Sequence, residues 1–284
     1  MTLRLEALTK RFGALLAIDR LSLTFKPGMI TSVIGPNGAG KSTLINMCAG
    51  SYKVSSGRIL LDDVELQELK KHQIAQRGVA RTYQNIRLFD GMSVIQNLEV
   101  CLFPELFGKT FAEVFVPGLS HRMKEERLAR CQAALDQFGL LPYADEFAAD
   151  LSYGNQKLLE IARATMLRPN VLMLDEPAAG LNHGEKHRLK QKLRELLRPD
   201  LTMIVVEHDM SLVMTLSDHI IVLHQGKLLF EGTPAEVQNN IAVQEAYLGS
   251  PGELDEIREA ARARANRVRI RADAGIERRR PGTN

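Results

Sequence analysis

A glycine-rich turn constrains this chain more than any other sequence feature. Residues 30–43 read ITSVIGPNGAGKST, so that a β-branched run leads through the turn into a segment with helical character. The spacing G-x-x-x-x-G-K-[ST] is that of a phosphate-binding loop. At ordinary residue frequencies, its four fixed residues arise by chance in about one chain in a hundred of this length. The fixed residues are Gly35, Gly40, Lys41 and Ser42.

Such a loop binds the phosphates of a nucleotide. Its glycines allow successive backbone N–H groups to point at phosphate oxygens, and the following helix N-terminus adds partial positive charge. We predict that Lys41 reaches the β- and γ-phosphates and that Ser42 binds Mg²⁺. The predicted nucleotide contacts are Gly35, Pro36, Asn37, Gly38, Ala39, Gly40, Lys41, Ser42 and Thr43.

Two further apolar runs end in acidic residues. The run VLML at 171–174 precedes Asp175 and Glu176, and the run TMIVV precedes Glu207, His208 and Asp209. Runs this short are typical of buried strands in a parallel sheet, and ligands bind at the carboxyl edge of such sheets.

Hydrolysis of a nucleoside triphosphate needs bound Mg²⁺, a positioned water and stabilisation of negative charge. We predict that Asp175 holds Mg²⁺ or its water, that Glu176 polarises the attacking water, and that His208 senses the γ-phosphate. The alternatives are a solvated acidic strand end and a structural histidine.

The remaining pattern predicts an α/β fold with a mixed, mostly parallel sheet. Residues 3–25 alternate apolar and polar side chains around Gly13, which indicates an N-terminal antiparallel β layer. Phe12 ends one of these strands, where its ring either stacks on adenine or packs in the core. A helical insertion is predicted over about residues 85–165. From Asn85 to about Ala149 it consists of helical stretches interrupted at Pro104, Gly108, Pro117 and Gly118. Its middle, 103–119, fits a loop or a partner-facing surface as well as a helix.

Composition argues against several kinds of site. Cys48, Cys101 and Cys131 are far apart and form no C-x-x-C pair, which argues against a zinc site and a disulfide framework. No apolar run reaches the length of a membrane span, and we expect no signal peptide at the N-terminus.

The net positive charge of the chain is carried by its C-terminal tail. The formal charge of the chain is +3, and residues 250–284 contain nine Arg against six Asp and Glu, which is also +3 (9 − 6). We predict an ATPase domain over 1–249 and a separate tail over 250–284. Ser250, Pro251 and Glu253 match a helix start with a capping box, so a short helix is expected there.

Taken together, the motifs resemble the ATP-binding cassette (ABC) ATPases across residues 2–249. LSYGNQ at 151–156 is the most specific element, because other phosphate-loop NTPases lack it. GTPases instead carry an N-K-x-D base-reading motif, which is absent from this sequence. The other shared motifs are the phosphate loop, Gln84, VLMLDEP, AAGLN and VVEHDM.

The resemblance implies a dimer that sandwiches two ATP molecules with Mg²⁺. Each site pairs one subunit's phosphate loop with the partner's signature residues, here Ser152, Tyr153, Gly154, Asn155 and Gln156. It also implies that Phe12 stacks on adenine and that Gln84 contacts Mg²⁺ or the attacking water. The implied metal ligands are Ser42, Gln84 and Asp175, and the implied catalytic residues are Gln84, Glu176 and His208.

A narrower resemblance is carried by ARTYQNIRLF, LDEPAAGLN, EHDM and EGTPAEV with AYLG. These segments are similar to ATPase subunits of the branched-chain amino acid importer family. Three departures from the general cassette pattern are Tyr153 for glycine, Asn155 for glutamine and Asn182 for aspartate. The Asn182 departure puts one contact across the dimer in question.

We therefore predict an ATP-hydrolysing subunit that energises an ABC importer of branched-chain or other hydrophobic amino acids. The implied partners are a second ATPase, identical or different, two permease subunits and, indirectly, a periplasmic or extracellular binding protein. The expected location is the cytoplasmic face of the inner (plasma) membrane, with no nucleic acid bound. The alternative is a soluble cassette ATPase acting on nucleic acid or ribosomes, which only the tail arginines favour.

Overall fold

A six-stranded sheet forms the centre of the protein. The computed structural model describes residues 1–102 and 119–247, with side chains from residue 124 onward in the second range. The strand order is β10-β9-β3-β8-β7-β6, and only β10 runs antiparallel to its neighbour. The strands are β3 (Met29–Ile34), β6 (Val79–Arg81), β7 (Val171–Asp175), β8 (Thr202–Val206), β9 (His219–His224) and β10 (Lys227–Gly232).

A second sheet is antiparallel and covers one side of the first. Its order is β2-β1-β4-β5, and the β1–β2 hairpin turns at Gly13, as the alternating pattern predicts. Buried leucines of β1 and β2 pack against α1 and the large sheet in one apolar cluster. The strands are β1 (Leu3–Phe12), β2 (Leu15–Phe25), β4 (Ser56–Leu61) and β5 (Val64–Glu65).

Nine α-helices are assigned in the described residues. They are α1 (Lys41–Cys48), α2 (Lys71–Gln76), α3 (Val94–Leu102), α4 (Leu119–Phe138), α5 (Tyr153–Thr165), α6 (His183–Leu196), α7 (Met210–Leu216), α8 (Pro234–Asn239) and α9 (Ile241–Tyr247). Two 3₁₀ turns, Leu141–Tyr143 and Ala148–Asp150, connect α4 to α5. None of these helices is both long and apolar enough to cross a membrane.

Helices α3, α4 and α5 occupy the range predicted for the helical insertion. They pack through buried side chains such as Leu98, Leu135 and Leu158, which join the cluster on the far side of the large sheet. Strand β6 ends at Arg81, and the chain leaves the sheet after the Thr82 N–H donates to the Met173 carbonyl.

Two expectations lie outside the described residues. The middle of the insertion, over 103–118, is one of them. The other is the tail helix expected from Ser250, together with the domain boundary at 249.

Candidate nucleotide-binding and hydrolysis site

The glycine-rich loop joins β3 to α1 and has a backbone that only glycine adopts easily. Gly35 and Gly40 have φ angles of 151° and 102°. A Cβ on Gly35 would lie 2.1 Å from the Leu223 carbonyl oxygen, and one on Gly40 would lie 2.7 Å from that of Ala17. The loop can therefore approach the neighbouring strands only without side chains at these positions.

Lys41 folds back over this loop. Its Nζ donates to the carbonyl oxygens of Gly35 at 2.5 Å and Pro36 at 3.1 Å, and the residue is buried. Ser42 is exposed at the start of α1, and Asn37 and Gly38 are exposed at the tip. A cation over a turn of backbone amides at a helix N-terminus is suited to bind phosphate.

Asp175 ends β7 and is buried at the carboxyl edge of the sheet. Its Oδ2 lies 3.7 Å from Nη2 of Arg81, and its N–H donates to Thr82 Oγ1 at 3.4 Å. Burial raises the pKa of the Asp175 carboxyl, while the charges of Arg81 and Lys41 act in the opposite direction. A buried carboxylate beside the phosphate loop fits a magnesium ion, which prefers oxygen ligands and offsets the cost of burying the charge.

Glu176 meets both other predicted catalytic residues. Gln84 Nε2 donates to Glu176 Oε2 at 3.1 Å, and His208 Nδ1 lies 3.9 Å from Oε1 of the same carboxylate. The three residues come from three segments distant in sequence. The structure therefore brings together the predicted water-activating group, the predicted γ-phosphate sensor and the predicted link to Mg²⁺.

Glu176 also has an unusual backbone. Its φ angle is 49°, in the left-handed region that a non-glycine residue adopts at a cost of about 1–3 kcal/mol. The neighbouring strand holds this conformation, because the Glu176 N–H donates to the Val206 carbonyl at 2.9 Å. Strain of this kind is concentrated at functional sites.

Glu207 is a site residue to which the sequence pattern assigns no role. Its buried carboxylate accepts the N–H of Ala178 at 2.7 Å and that of His208 at 3.1 Å. Burial raises its pKa, and the backbone N–H of Ala178 counteracts the rise. Glu207 thus ties the loop after Glu176 to the segment that carries His208. An acidic residue directly after a buried strand was the only available signal.

The predicted signature segment lies at the N-terminus of α5. Ser152 is the N-cap, and its Oγ accepts the Asn155 N–H at 3.3 Å. Ser152 and Tyr153 are exposed, whereas Gly154 is buried against α6, where an added Cβ would lie 2.4 Å from Glu185 Oε1.

Two signature side chains are bonded within the chain itself. Asn155 Oδ1 accepts from Arg188 Nη1 at 2.9 Å, and Gln156 Nε2 donates to the Leu151 carbonyl at 3.2 Å. Asn155, which replaces a common glutamine, therefore links α5 to α6.

Asn182 keeps the local role of an aspartate. It is the N-cap of α6: its Oδ1 accepts the Glu185 N–H at 3.0 Å, and Glu185 Oε2 accepts the Asn182 N–H at 2.9 Å. Asparagine and aspartate cap helices about equally well, so the departure preserves this helix start.

Phe12 is not a core residue. The residue is 41% exposed, and its ring packs edge to face on Tyr52 with centroids 5.3 Å apart. Lys10 Nζ lies 4.7 Å from the Phe12 centroid and is held by the Lys53 carbonyl. The core alternative is wrong, and the ring remains available for a planar ligand.

Comparison with known proteins identifies the family. A family profile described as ABC transporter matches residues 18–179, and a profile described as branched-chain amino acid ATP-binding cassette transporter matches residues 227–253. The chain belongs to the ABC transporter family. The predicted cassette fold and the resemblance to branched-chain amino acid transport ATP-binding proteins are thereby confirmed.

Individual relatives agree with this assignment. The chain is 43% identical over 248 residues to the high-affinity branched-chain amino acid transport ATP-binding protein BraF of Pseudomonas aeruginosa. It is 45% identical over 248 residues to the protein LivG of Escherichia coli K12, which has the same description. Each alignment covers 87% of this chain and 97% of the relative.

Solved structures give the same fold. The ADP conformation of the ATP-binding cassette MJ1267 has a TM-score of 0.76 at 31% identity and covers 88% of this chain and 100% of its own. A dimeric post-hydrolysis state of the cassette MJ0796, bound to ADP and Pi, has a TM-score of 0.68 at 25% identity. The match covers 82% of this chain and 98% of the MJ0796 chain. The chain is an ABC-type ATPase.

Proposed function

We propose that this ATPase subunit energises an importer of branched-chain or other hydrophobic amino acids. The observation that carries the ATPase part is the contact of Gln84 and His208 with Glu176 at the sheet edge beside the phosphate loop. The descriptions of BraF and LivG support the substrate class. The nucleic-acid alternative receives no support from the family profiles or from these relatives.

In this proposal ATP binds to the phosphate loop over residues 35–43, with Lys41 at the β- and γ-phosphates and Phe12 against adenine. Ser42, Asp175 and Gln84 hold Mg²⁺, which when bound neutralises charge on the phosphates. The oxygen-bearing side chains and the buried carboxylate of Asp175 support this ligand set.

Glu176 orients and polarises the attacking water. The Gln84 amide holds one of its carboxylate oxygens, and His208 lies on the side of the other. His208 is exposed, with 59% of its side chain accessible, so it can also contact a γ-phosphate. The pair of contacts limits the orientations open to the Glu176 carboxylate, as general-base catalysis requires.

Two copies of such a cassette complete each other's sites. We propose that Ser152 and Tyr153 at the exposed end of α5, together with Gly154, Asn155 and Gln156, contact ATP held by the partner subunit. The exposure of Ser152 and Tyr153 in the single chain supports this arrangement, and MJ0796 is a dimer in its solved structure. Identical and different partner subunits are both compatible with it.

The permease partner has a candidate surface. A cavity of about 430 Å³ lies between α2, β6 and α5, with Tyr83, Arg81 and Arg163 in its lining. We propose that a cytoplasmic helix of the permease docks here and on the adjoining apolar side chain of Phe89, which is 45% exposed. Of the other apolar side chains that follow Gln84, Ile86 and Met92 are half-buried, whereas Leu88 packs on the helical core.

The assembly then contains two ATPases, two permease subunits and an external binding protein that delivers the amino acid. The chain lies at the cytoplasmic face of the inner (plasma) membrane, attached through the permease. We propose that the ATPase domain spans 1–249 and that hydrolysis does not need the basic segment 250–284.

The test is purification of the tagged chain from its native membranes. We expect two integral membrane proteins to copurify, and a leucine-loaded binding protein to stimulate ATP hydrolysis by the complex. Glu176→Gln should retain ATP while turnover falls by about 10². Glu245→Gln, the same change on the exposed face of α9, is the control. Copurification of RNA without membrane proteins would contradict the importer proposal, and normal turnover of Glu176→Gln would contradict the site.

A further inference from the structure

One face of α5 carries three charged side chains that the proposed chemistry does not use. Lys157, Glu160 and Arg163 are spaced three residues apart, so they lie along one side of the helix. Lys157 and Glu160 are 1% and 3% exposed, which is rare for these residue types. All three face the segment 83–87, which carries Gln84.

The contacts of these side chains go to the main chain of that segment. Lys157 Nζ donates to the Gln84 carbonyl at 3.0 Å. Glu160 Oε1 accepts the Tyr83 N–H at 3.4 Å and the Arg87 N–H at 3.3 Å. The Arg163 guanidinium donates to the Arg87 carbonyl. The chain leaves the sheet after Thr82, so α5 supplies the partners that β7 no longer provides.

We propose that Lys157 and Glu160 are positioning residues for ATP hydrolysis, which hold the Gln84 backbone so that its side-chain amide reaches Glu176. This inference rests on the proposed function, because it assumes that Glu176 orients the water. The Gln84 residue connects the two interactions directly: its carbonyl oxygen bonds Lys157, and its Nε2 bonds Glu176.

Burying the charged side chains of Lys157 and Glu160 costs free energy, and a role in packing alone would not require charged residues here. Burial lowers the pKa of Lys157, and the carboxylate of Glu160 counteracts that effect most strongly, followed by Glu207 and Glu176. Burial likewise raises the pKa of Glu160, which Lys157 opposes. Buried charges of opposite sign can often be replaced by apolar residues without loss of stability. Lys157 and Glu160 instead fix the backbone around Gln84, so their contribution is to the position of that residue.

The experiment compares two variants in the complex purified from membranes. Lys157→Met removes the donor to Gln84 and the positive charge that most strongly stabilises the buried Glu160 carboxylate, so it lowers stability as well as turnover. The double variant Lys157→Met with Glu160→Gln removes both charges but keeps an amide oxygen for the Tyr83 and Arg87 N–H groups. We expect the double variant to regain most of the thermal stability.

Turnover separates the positioning role from a structural role. We expect kcat at saturating ATP to fall about tenfold in both variants, because the Gln84 carbonyl has lost its donor, while the Kd for ATP changes less than twofold. Arg130→Ala, which removes a bond to Met166 at the other end of α5, is the control and should retain wild-type kcat.

A double variant with restored stability and wild-type kcat would overturn the inference. If Glu176→Gln, purified in the same way, is inactive, the proposed function is unaffected by that result. Should neither variant fold, hydrogen exchange on the wild-type complex decides. We expect the Tyr83 and Arg87 amides to exchange as slowly as those of β6, and rapid exchange would overturn the inference.

Discussion

The phosphate loop and the signature segment are both helix N-termini, but they are built in opposite ways. The phosphate loop, over residues 35–43, is shaped by its backbone, with Gly35 and Gly40 at positive φ and Lys41 bonded to the loop's own carbonyls. The signature segment, over residues 152–156, is shaped by side chains that anchor its inner residues to the same subunit and leave Ser152 and Tyr153 exposed.

In the proposed function, this difference separates a binding site from a surface that contributes to the partner subunit's site. The phosphate loop brings its cation and its turn together within one chain, so we expect it to bind nucleotide without the partner subunit. The signature segment keeps its ligand-facing groups at the surface of the chain. We therefore expect changes in the two regions to affect different steps, and the following variants test that expectation.

The largest effect is expected from Lys41→Ala. Its ammonium is buried over the loop, and in the proposed site it neutralises phosphate charge that backbone dipoles alone do not offset. We expect ATP affinity of the isolated subunit to fall by about 10² or more, measured by titration calorimetry. Lys26→Ala, which removes an exposed lysine between β2 and β3, should bind ATP normally. Undiminished binding by Lys41→Ala would contradict the assignment of the loop.

A smaller effect on binding, but a clear loss of hydrolysis, is expected from Ser152→Ala. The variant should bind ATP as a monomer with near wild-type affinity and fail to hydrolyse it in the dimer. Because Ser152 is also a helix N-cap, the change costs about 1 kcal/mol of stability. Thr233→Ala removes the N-cap of α8 and controls for that loss.

Equal loss of ATP affinity in Lys41→Ala and Ser152→Ala would contradict the expectation that the two regions affect different steps. The two motifs would then serve one subunit's site. The same calorimetric titration, carried out on both variants at one protein concentration, gives this answer.

The smallest effect is expected from Phe12→Ala. Loss of a stacking ring costs about 1 kcal/mol, so KM for ATP should rise about fivefold with little change in kcat. Ile241→Ala, at a side chain that is 70% exposed on α9, is the control. A fall in kcat without a change in KM would show that Phe12 does not contact the base.

The local features of this protein follow from the sequence alone. Glycine positions define the phosphate loop, because only glycine adopts its φ angles beside the Leu223 and Ala17 carbonyls. The short apolar runs of β7 and β8 predict buried parallel strands ending in acidic residues, since those runs have no polar face. The alternation of apolar and polar residues predicts the β1–β2 hairpin, since each of these strands has one buried and one exposed face.

The tertiary structure alone decides which of these local features meet. Gln84 and Glu176 are 92 residues apart, and Lys157 and Gln84 are 73 apart. No periodicity distinguishes Lys157 and Glu160 from an exposed i, i+3 ion pair, yet α5 packs so that both are buried against residues 83–87. Backbone propensity and hydrophobic periodicity act within a few residues, whereas the strand order and helix packing determine the contacts between distant segments. The partners of a buried charge are set by that packing, and for this reason the sequence indicates the groups that react but not those that hold them.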